Sequence, residues 1–276
     1  MELAPAGPDW KAAFARIEGD AIVLHTDLLR LRIGQRGVPL DRQMADLFHS
    51  IRDAFGGRTL LFPTFNYDYG QTRVYDPEAD PCQVGALNEF VRRRHPALRT
   101  LTPIFNFCIL DNRGFSLGPT EDPFSEESTF SEMARCSAAV AFLGASFGAN
   151  TFLHYVEEAM SVGYRYQKPL PGVIRREGSD RPIAFHYRVR PRLEGAVEYD
   201  WERLEGGLAE RDLLHEIPLG GGRLLWFRAD RVLEAWSAHL AADELYFLTG
   251  QARATAERLY ERFGRPLRYE AVEPAA

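Results

Sequence analysis

Residues Gly144 to Lys168 read GASFGANTFLHYVEEAMSVGYRYQK. The stretch begins where an apolar run, Ala138 to Leu143, gives way to small and flexible residues, and it continues into a segment that suits successive helical turns. Within it Asn150, Thr151, His154, Glu157 and Glu158 fall close together. On a helix, an imidazole and a carboxylate three residues on share one face, about 5–6 Å apart at Cβ. Glu157 at i+3 is the better-placed partner of His154, and Glu158 at i+4 is the alternative. Such a pair makes a base that exchanges protons near neutral pH, one ring nitrogen fixed by the carboxylate and the other free. By spacing alone the same residues also suit a structural histidine on an amphipathic helix.

Upstream of that stretch, short apolar runs alternate with helical spacing. Asp9 to Ile17 reads as a short amphipathic helix, and Ala21 to Leu24 as a strand that delivers His25-Thr26-Asp27 to its carboxyl end. If Thr26 or Asp27 caps the next helix, backbone N–H groups face whatever docks above the strand. Pro39 to Phe55 has helical spacing, Thr59 to Phe62 is a second strand, and Asn66 to Gln83 is a long loop of the kind that often carries function. Val84 to Arg94 returns to helix, Leu101 to Leu110 holds another strand after Pro103, and Gly114 to Glu127 is a polar loop. Phe130 to Ala134 is a brief helix and Ala138 to Leu143 a third buried strand. Beyond Lys168, Ile183 to Val189 alternates as one strand, Val197 to Leu204 is mixed, and Arg223 to Phe227 is a strand. Helices follow at Ala229 to His239 and Gln251 to Phe263. Strands and helices interleave throughout, which predicts an α/β or α+β layered architecture in one domain over residues 1–276.

Composition narrows the function. The 33 Lys and Arg are dispersed among 39 Asp and Glu, so no overall field attracts a nucleic-acid backbone. Three cysteines, Cys82, Cys108 and Cys136, make neither a CxxC pair nor a zinc pattern, and they point to a reducing compartment. No run approaches the roughly 18 apolar residues of a membrane span, and the first residues lack a signal-peptide core, so a cytoplasmic protein is expected. GxxxxGK[ST] is absent, and Gly220 to Gly222 precede a strand rather than a helix, which disfavours nucleotide chemistry. Gly144-Ala145-Ser146-Phe147-Gly148 matches the GxSxG elbow of serine hydrolases in form. That mechanism expects Asp and then His later in the chain, whereas His154 follows Ser146 by only eight residues. An HxxE pair can ligate a metal, but no second His–carboxylate cluster accompanies it, so no metal is expected.

Asn150-Thr151-Phe152-Leu153-His154-Tyr155-Val156-Glu157 resembles the N-T-x-x-H-x-x-E signature of the aminoglycoside 3-N-acetyltransferase family. Val23 to Leu28, Leu61-Phe62-Pro63-Thr64-Phe65, Gly85 to Arg93, Arg99 to Phe107 and Asp122-Pro123-Phe124 look like further blocks of that family, in order, over about residues 20–190. Two departures stand out: Thr102-Pro103-Ile104-Phe105-Asn106-Phe107 where H-P-x-x-S-F is common, and Asp27 where Ser is common. The resemblance implies a mixed sheet flanked by helices in a fold other than GNAT, with the portion 191–276 packed on the core. It implies an N-acyltransferase using acetyl-CoA or another short acyl-CoA, without a metal, and acting on a small-molecule amino sugar. Nucleic acid and membrane are not expected as partners, and a homodimer is left open.

The roles that follow are expectations. His154 is the base, Glu157 its orienting carboxylate, and Thr151 a donor to the oxyanion. His25, Thr26, Asp27, Arg30, Arg32 and Arg36 are assigned to coenzyme A, although the arginines also suit a solvated helix face. Asp68, Tyr69, Asp76, Tyr164, Arg165 and Lys168 are assigned to the acceptor. Phe65 to Tyr69, Arg73 to Asp76 and Tyr164 to Lys168 look more like the family branch that acylates nucleotide-linked amino sugars, which sets that acceptor ahead of an aminoglycoside. Arg165, Lys168 or Arg175 near a diphosphate would favour the first acceptor, and an acidic cleft the second. A silent acyl-CoA or sugar-nucleotide binding protein is the non-enzymatic alternative.

Overall fold

Strands buried along their whole length form the centre of the computed structural model, which describes residues 10–31, 37–192 and 197–273. The strands are β1 (Ala21–Thr26), β2 (Thr59–Pro63), β3 (Val74–Tyr75), β4 (Phe107–Leu110), β5 (Ala139–Leu143) and β6 (Tyr166–Pro169). They continue with β7 (Gly172–Arg176), β8 (Ser179–Ile183), β9 (His186–Val189), β10 (His215–Leu219) and β11 (Gly222–Arg228). A mixed sheet of order β10-β11-β5-β1-β2-β4 forms the centre. β1 runs parallel to both β2 and β5, while β4 and β11 close the group antiparallel.

Successive residues of a strand face opposite sides of the sheet. Ile22, Leu24, Leu60, Phe62, Ala141 and Leu143 pack on one side, against the helices Leu40–Phe55 and Ala86–Arg94. Val23, Leu61, Val140, Phe142, Leu225 and Phe227 pack on the other, with the helices Thr129–Arg135, Phe152–Ala159 and Ala229–Ala242. Both faces of β1 and β5 are therefore covered, which is why these strands read as unbroken apolar runs.

Several elements differ from the expectations. Ile183 to Val189 is not one strand. Arg176 and Ser179 close a β7–β8 hairpin across Glu177 and Gly178, at φ 52° and 75°, and the chain breaks again before β9. Two successive left-handed residues fit the right-handed twist of a two-residue hairpin. The mixed segment at Val197 to Leu204 contains the start of a helix, Trp201–Ala209, whose Asp200 side chain accepts from the Arg203 N–H. Leu101 to Leu110 contributes only β4, because Ile104 sits at φ 65° and interrupts extended backbone. Gly220 to Gly222 turn the β10–β11 hairpin. Among the described residues, no helix is long and apolar enough to cross a membrane.

The segment from Asn66 to Gln83 is not wholly irregular, since it holds a short helix at Tyr69–Thr72 and strand β3, and it is tied down by a buried arginine. Arg99 donates from Nη2 to the Thr64 carbonyl at 2.6 Å, from Nη1 to those of Asp80 and Pro77 at 2.7 and 3.1 Å, and from Nε to Asn106 Oδ1 at 2.8 Å. Its charge is thus spread over fixed carbonyl dipoles, which satisfies a group that is costly to bury alone.

Candidate active site

The parallel strands β1, β2 and β5 end on the same side, and in open α/β sheets the crevice beyond such carboxyl ends is where ligands bind. Here it is a cleft of about 760 Å³. His25, Thr26 and Asp27 leave β1 into its floor, Ala145 to Thr151 follow β5 along one wall, and His154 enters from the next helix. Gly144 makes that turn possible: it sits at φ 70°, and a Cβ there would collide with the Asp27 carbonyl oxygen and lie 2.6 Å from Leu31 Cγ.

His154 and Glu157 lie one turn apart on the helix Phe152–Ala159, with Nδ1 2.9 Å from Oε2. The carboxylate is fully enclosed at 1% exposure, whereas the imidazole is 24% exposed and opens on the cleft. Three further side chains close around the carboxylate. Tyr164 and Tyr199 each donate a phenolic O–H to Oε1 at 2.8 Å, and Arg165 Nε lies 2.8 Å from Oε2. Arg165 Nη2 is also 3.2 Å from His154 Nδ1, and the Tyr199 hydroxyl 3.5 Å. The carboxylate oxygen at 2.9 Å is acceptor-only, so it selects the tautomer with the proton on Nδ1, and in that tautomer the Nε2 lone pair is free for the cleft.

Electrostatics follow from this packing. Burial lowers the pKa of His154, the Arg165 cation lowers it further, and Glu157 offsets only part. The imidazole is therefore neutral at neutral pH. Burial alone would raise Glu157, but Arg165, His154 and Tyr164 together overcome it and hold the carboxyl below its usual range. Burial raises both phenols well above the usual tyrosine value, so each remains a donor. Glu158 turns away to Arg188, with Oε2 3.0 Å from Nε. The Phe124 ring meets His154 edge-on at 5.8 Å between centroids.

The other expected site residues divide into two groups. Thr151 lines the cleft just before the helix, its hydroxyl 3.5 Å from the Ala149 carbonyl. His25, also in the cleft, stacks on Phe142 at 5.1 Å, and burial lowers its pKa to about 4. Thr26 donates to Asn88 Oδ1 at 3.1 Å, and Asp27 pairs with Arg30 at 3.2 Å and accepts its N–H at 3.4 Å. Arg32 and Arg36 lie outside the described residues.

Residues assigned to the acceptor are mostly engaged elsewhere. Asp68 accepts from Gln83 Nε2 at 2.9 Å, and Tyr69 is buried with its hydroxyl on the Leu170 carbonyl at 2.9 Å. Asp76 accepts the N–H groups of Glu78 and Ala79, both at 2.9 Å, within its own turn. Lys168 pairs with Glu273. Tyr164 and Arg165 stand behind the His154–Glu157 pair rather than in the cleft. Conversely, Tyr199 and Trp201 line the cleft without having been singled out, and Tyr67 lines it from within the stretch Phe65 to Tyr69. Tyr199 and Trp201 carried no local signal, since they arrive from more than forty residues downstream of His154. Among the described residues, no group of three or more His, Cys, Asp and Glu is placed to hold a metal ion.

A neutral imidazole with an enclosed carboxylate behind it, at the carboxyl ends of parallel strands, is an arrangement chemically capable of accepting a proton from a small molecule in the cleft. The family model described as Antibiotic_NAT, aminoglycoside 3-N-acetyltransferase, matches residues 34–241. The chain belongs to this family and is an N-acyltransferase.

Solved structures share the fold, which is not the GNAT fold. Aminoglycoside acetyltransferase AAC(3)-IVa, as a histidine-to-alanine mutant in complex with a gentamicin, aligns with a TM-score of 0.68 at 17% identity, over 93% of this chain and 99% of that one. AAC-IIIb in its binary complex with CoASH aligns at 0.67 and 19% identity, over 87% and 96%. The YokD protein from Bacillus subtilis aligns at 0.64 and 14% identity, over 84% and 91%. No curated protein matches the chain.

Proposed function

We propose that the chain transfers an acyl group, acetyl in the simplest case, from a coenzyme A thioester to an amino group of an aminoglycoside-type amino sugar. The observation that carries this reading is the neutral His154 on an enclosed Glu157, opening on the cleft of a chain that belongs to the family. An amine is mostly protonated at neutral pH, and its attacking form must shed a further proton once it bonds to the thioester carbon. His154 Nε2 takes that proton, and Glu157 holds the ring through Nδ1. Thr151, at the start of the helix, is assigned to the oxyanion through its hydroxyl or N–H.

The donor is assigned to the side of the cleft built from His25, Thr26 and Asp27. Its rim carries Leu29 and Leu40, exposed apolar side chains suited to the aliphatic pantetheine arm. Arg30 reaches a phosphate only by leaving Asp27. Residues 197–273 contribute Tyr199 and Trp201 to the same cleft, which supports one acyltransferase domain.

Between the two acceptors, the aminoglycoside is favoured by the family match and by the gentamicin complex of AAC(3)-IVa. A nucleotide-linked sugar is the weaker reading, because the cations it calls for do not line the cleft and each has an acidic partner. Arg165 sits against Glu157, Lys168 pairs with Glu273, and Arg175 pairs with Asp180.

Thiol release tests the proposal, with acetyl-CoA and 3-hydroxybutyryl-CoA offered against aminoglycosides, simple amino sugars and nucleotide-linked amino sugars. Release with an aminoglycoside is expected. Release confined to a nucleotide-linked sugar replaces the acceptor, and no release with any amine overturns the enzyme reading in favour of a silent binding protein.

A further inference from the structure

Glu157 carries one negative charge, and a histidine–carboxylate pair ordinarily keeps that charge for the imidazolium that forms in the reaction. Here the charge is already balanced. Arg165, at 8% side-chain exposure, places Nε 2.8 Å from Glu157 Oε2. Its Nη1 donates to the Arg188 carbonyl at 2.9 Å, and its Nη2 lies 3.2 Å from His154 Nδ1. The buried group of His154, Glu157 and Arg165 is therefore neutral as it stands, and a proton on His154 makes it a net cation. Among the described residues, every other group near the ring leaves that count unchanged or worsens it. Tyr164 and Tyr199 are neutral donors, Arg190 adds positive charge, Phe124 is apolar, and Glu158 is held by Arg188.

We propose that Arg165 is a positioning residue that neutralises Glu157 in advance, so that the proton His154 takes from the amine is not retained but passed on to the departing thiolate of the acyl donor. This rests on the reading of His154 as the base. The amine nitrogen forms a bond to the thioester carbon, and the C–S bond breaks with its electron pair going to sulfur. The proton lost by nitrogen moves through His154 Nε2 to that sulfur, so amine and acyl-CoA become amide and free thiol, and His154 ends neutral. A counter-charge kept free on Glu157 would stabilise the imidazolium and slow the second transfer. Arg165 removes that trap while Glu157 still accepts from Nδ1 and fixes the ring.

Two readouts test this, one of them independent of turnover. Nitrogen-15 NMR titration of the ligand-free protein is expected to show His154 as the Nδ1–H tautomer, titrating below an ordinary histidine. Titration at or above the ordinary value, or the opposite tautomer, overturns the proposal. In Arg165→Met the His154 titration and the acid limb of the kcat/KM profile are expected to move up together by about one pH unit, and Arg165→Lys is expected to restore both. If Arg165→Met does not fold, the wild-type titration and Arg165→Lys carry the test. A loss of activity in Arg165→Met with the His154 titration and acid limb unmoved assigns Arg165 a merely structural role and overturns the proposal, as does an Arg165→Lys variant in which the His154 titration departs from that of the wild type. If the wild type releases no thiol with any amine, the functional reading fails, while the titration still reports on the charge arrangement.

Discussion

Tyr199 donates its hydroxyl to Glu157 Oε1 at 2.8 Å across forty-two residues of chain, and so ties the part of the molecule after β9 to the carboxylate behind His154. Together with Tyr164 and Arg165 it leaves Glu157 almost no exposed surface. The base is thus held by a packed network and not by a single contact, which shapes what mutation does to it.

Glu157→Gln keeps the shape of the side chain and removes its charge. Arg165 is then buried without a counter-ion, and Nδ1–H is no longer selected over Nε2–H. A loss in kcat/KM of about 10²–10⁴-fold is expected. A loss of folding stability of about 3–5 kcal/mol is expected with it, because one partner of a buried ion pair is left alone. Steady-state kinetics and urea denaturation on the same preparation check both. Full activity with normal stability would contradict the network.

His25 makes stability depend on pH. Its folded pKa of about 4 lies below the unfolded value of 6.5. Between those values the unfolded chain binds a proton that the folded chain does not, so stability is complete above about pH 6.5 and falls as the pH drops toward 4. The full difference is roughly 3 kcal/mol. Denaturation midpoints at pH 7 and pH 4.5 should differ less in His25→Gln than in the wild type. An equal difference would show that His25 does not titrate in this way.

Gly144→Ala places a methyl group against Asp27 and Leu31 and forces a left-handed residue with a side chain, at the turn that joins β5 to the cleft wall. A destabilisation of about 2–4 kcal/mol is expected, with impaired donor binding because Asp27 and His25 shift with it. Thermal melting and coenzyme A binding read the two effects. A variant that melts and binds as the wild type does would show that the turn relaxes freely.

The sequence revealed what depends on local periodicity. His154 and Glu157 are one turn apart on a helix, so their meeting needs no knowledge of the rest of the fold. The apolar runs from Ala21, Thr59 and Ala138 are buried on both faces and therefore stand out as strands. What was not legible depends on direction and distance. Arg165 and Tyr164 follow the helix closely in sequence, but the chain turns back at Ser161, at φ 50°, and brings them behind Glu157 rather than beside the acceptor. Tyr199 and Trp201 reach the cleft only through tertiary packing. Two hairpins and the Trp201–Ala209 helix were marked by Glu177-Gly178, Gly220-Gly221 and Asp200, which are turn and cap signals in otherwise weakly patterned segments.

His154→Ala tests the central claim most directly, through acetyl transfer to an aminoglycoside followed by thiol release alongside coenzyme A binding measured by calorimetry. The expected result is turnover reduced by about 10²-fold or more, with binding of coenzyme A kept within a few-fold. Unchanged turnover in the alanine variant would contradict the assignment of His154 as the base.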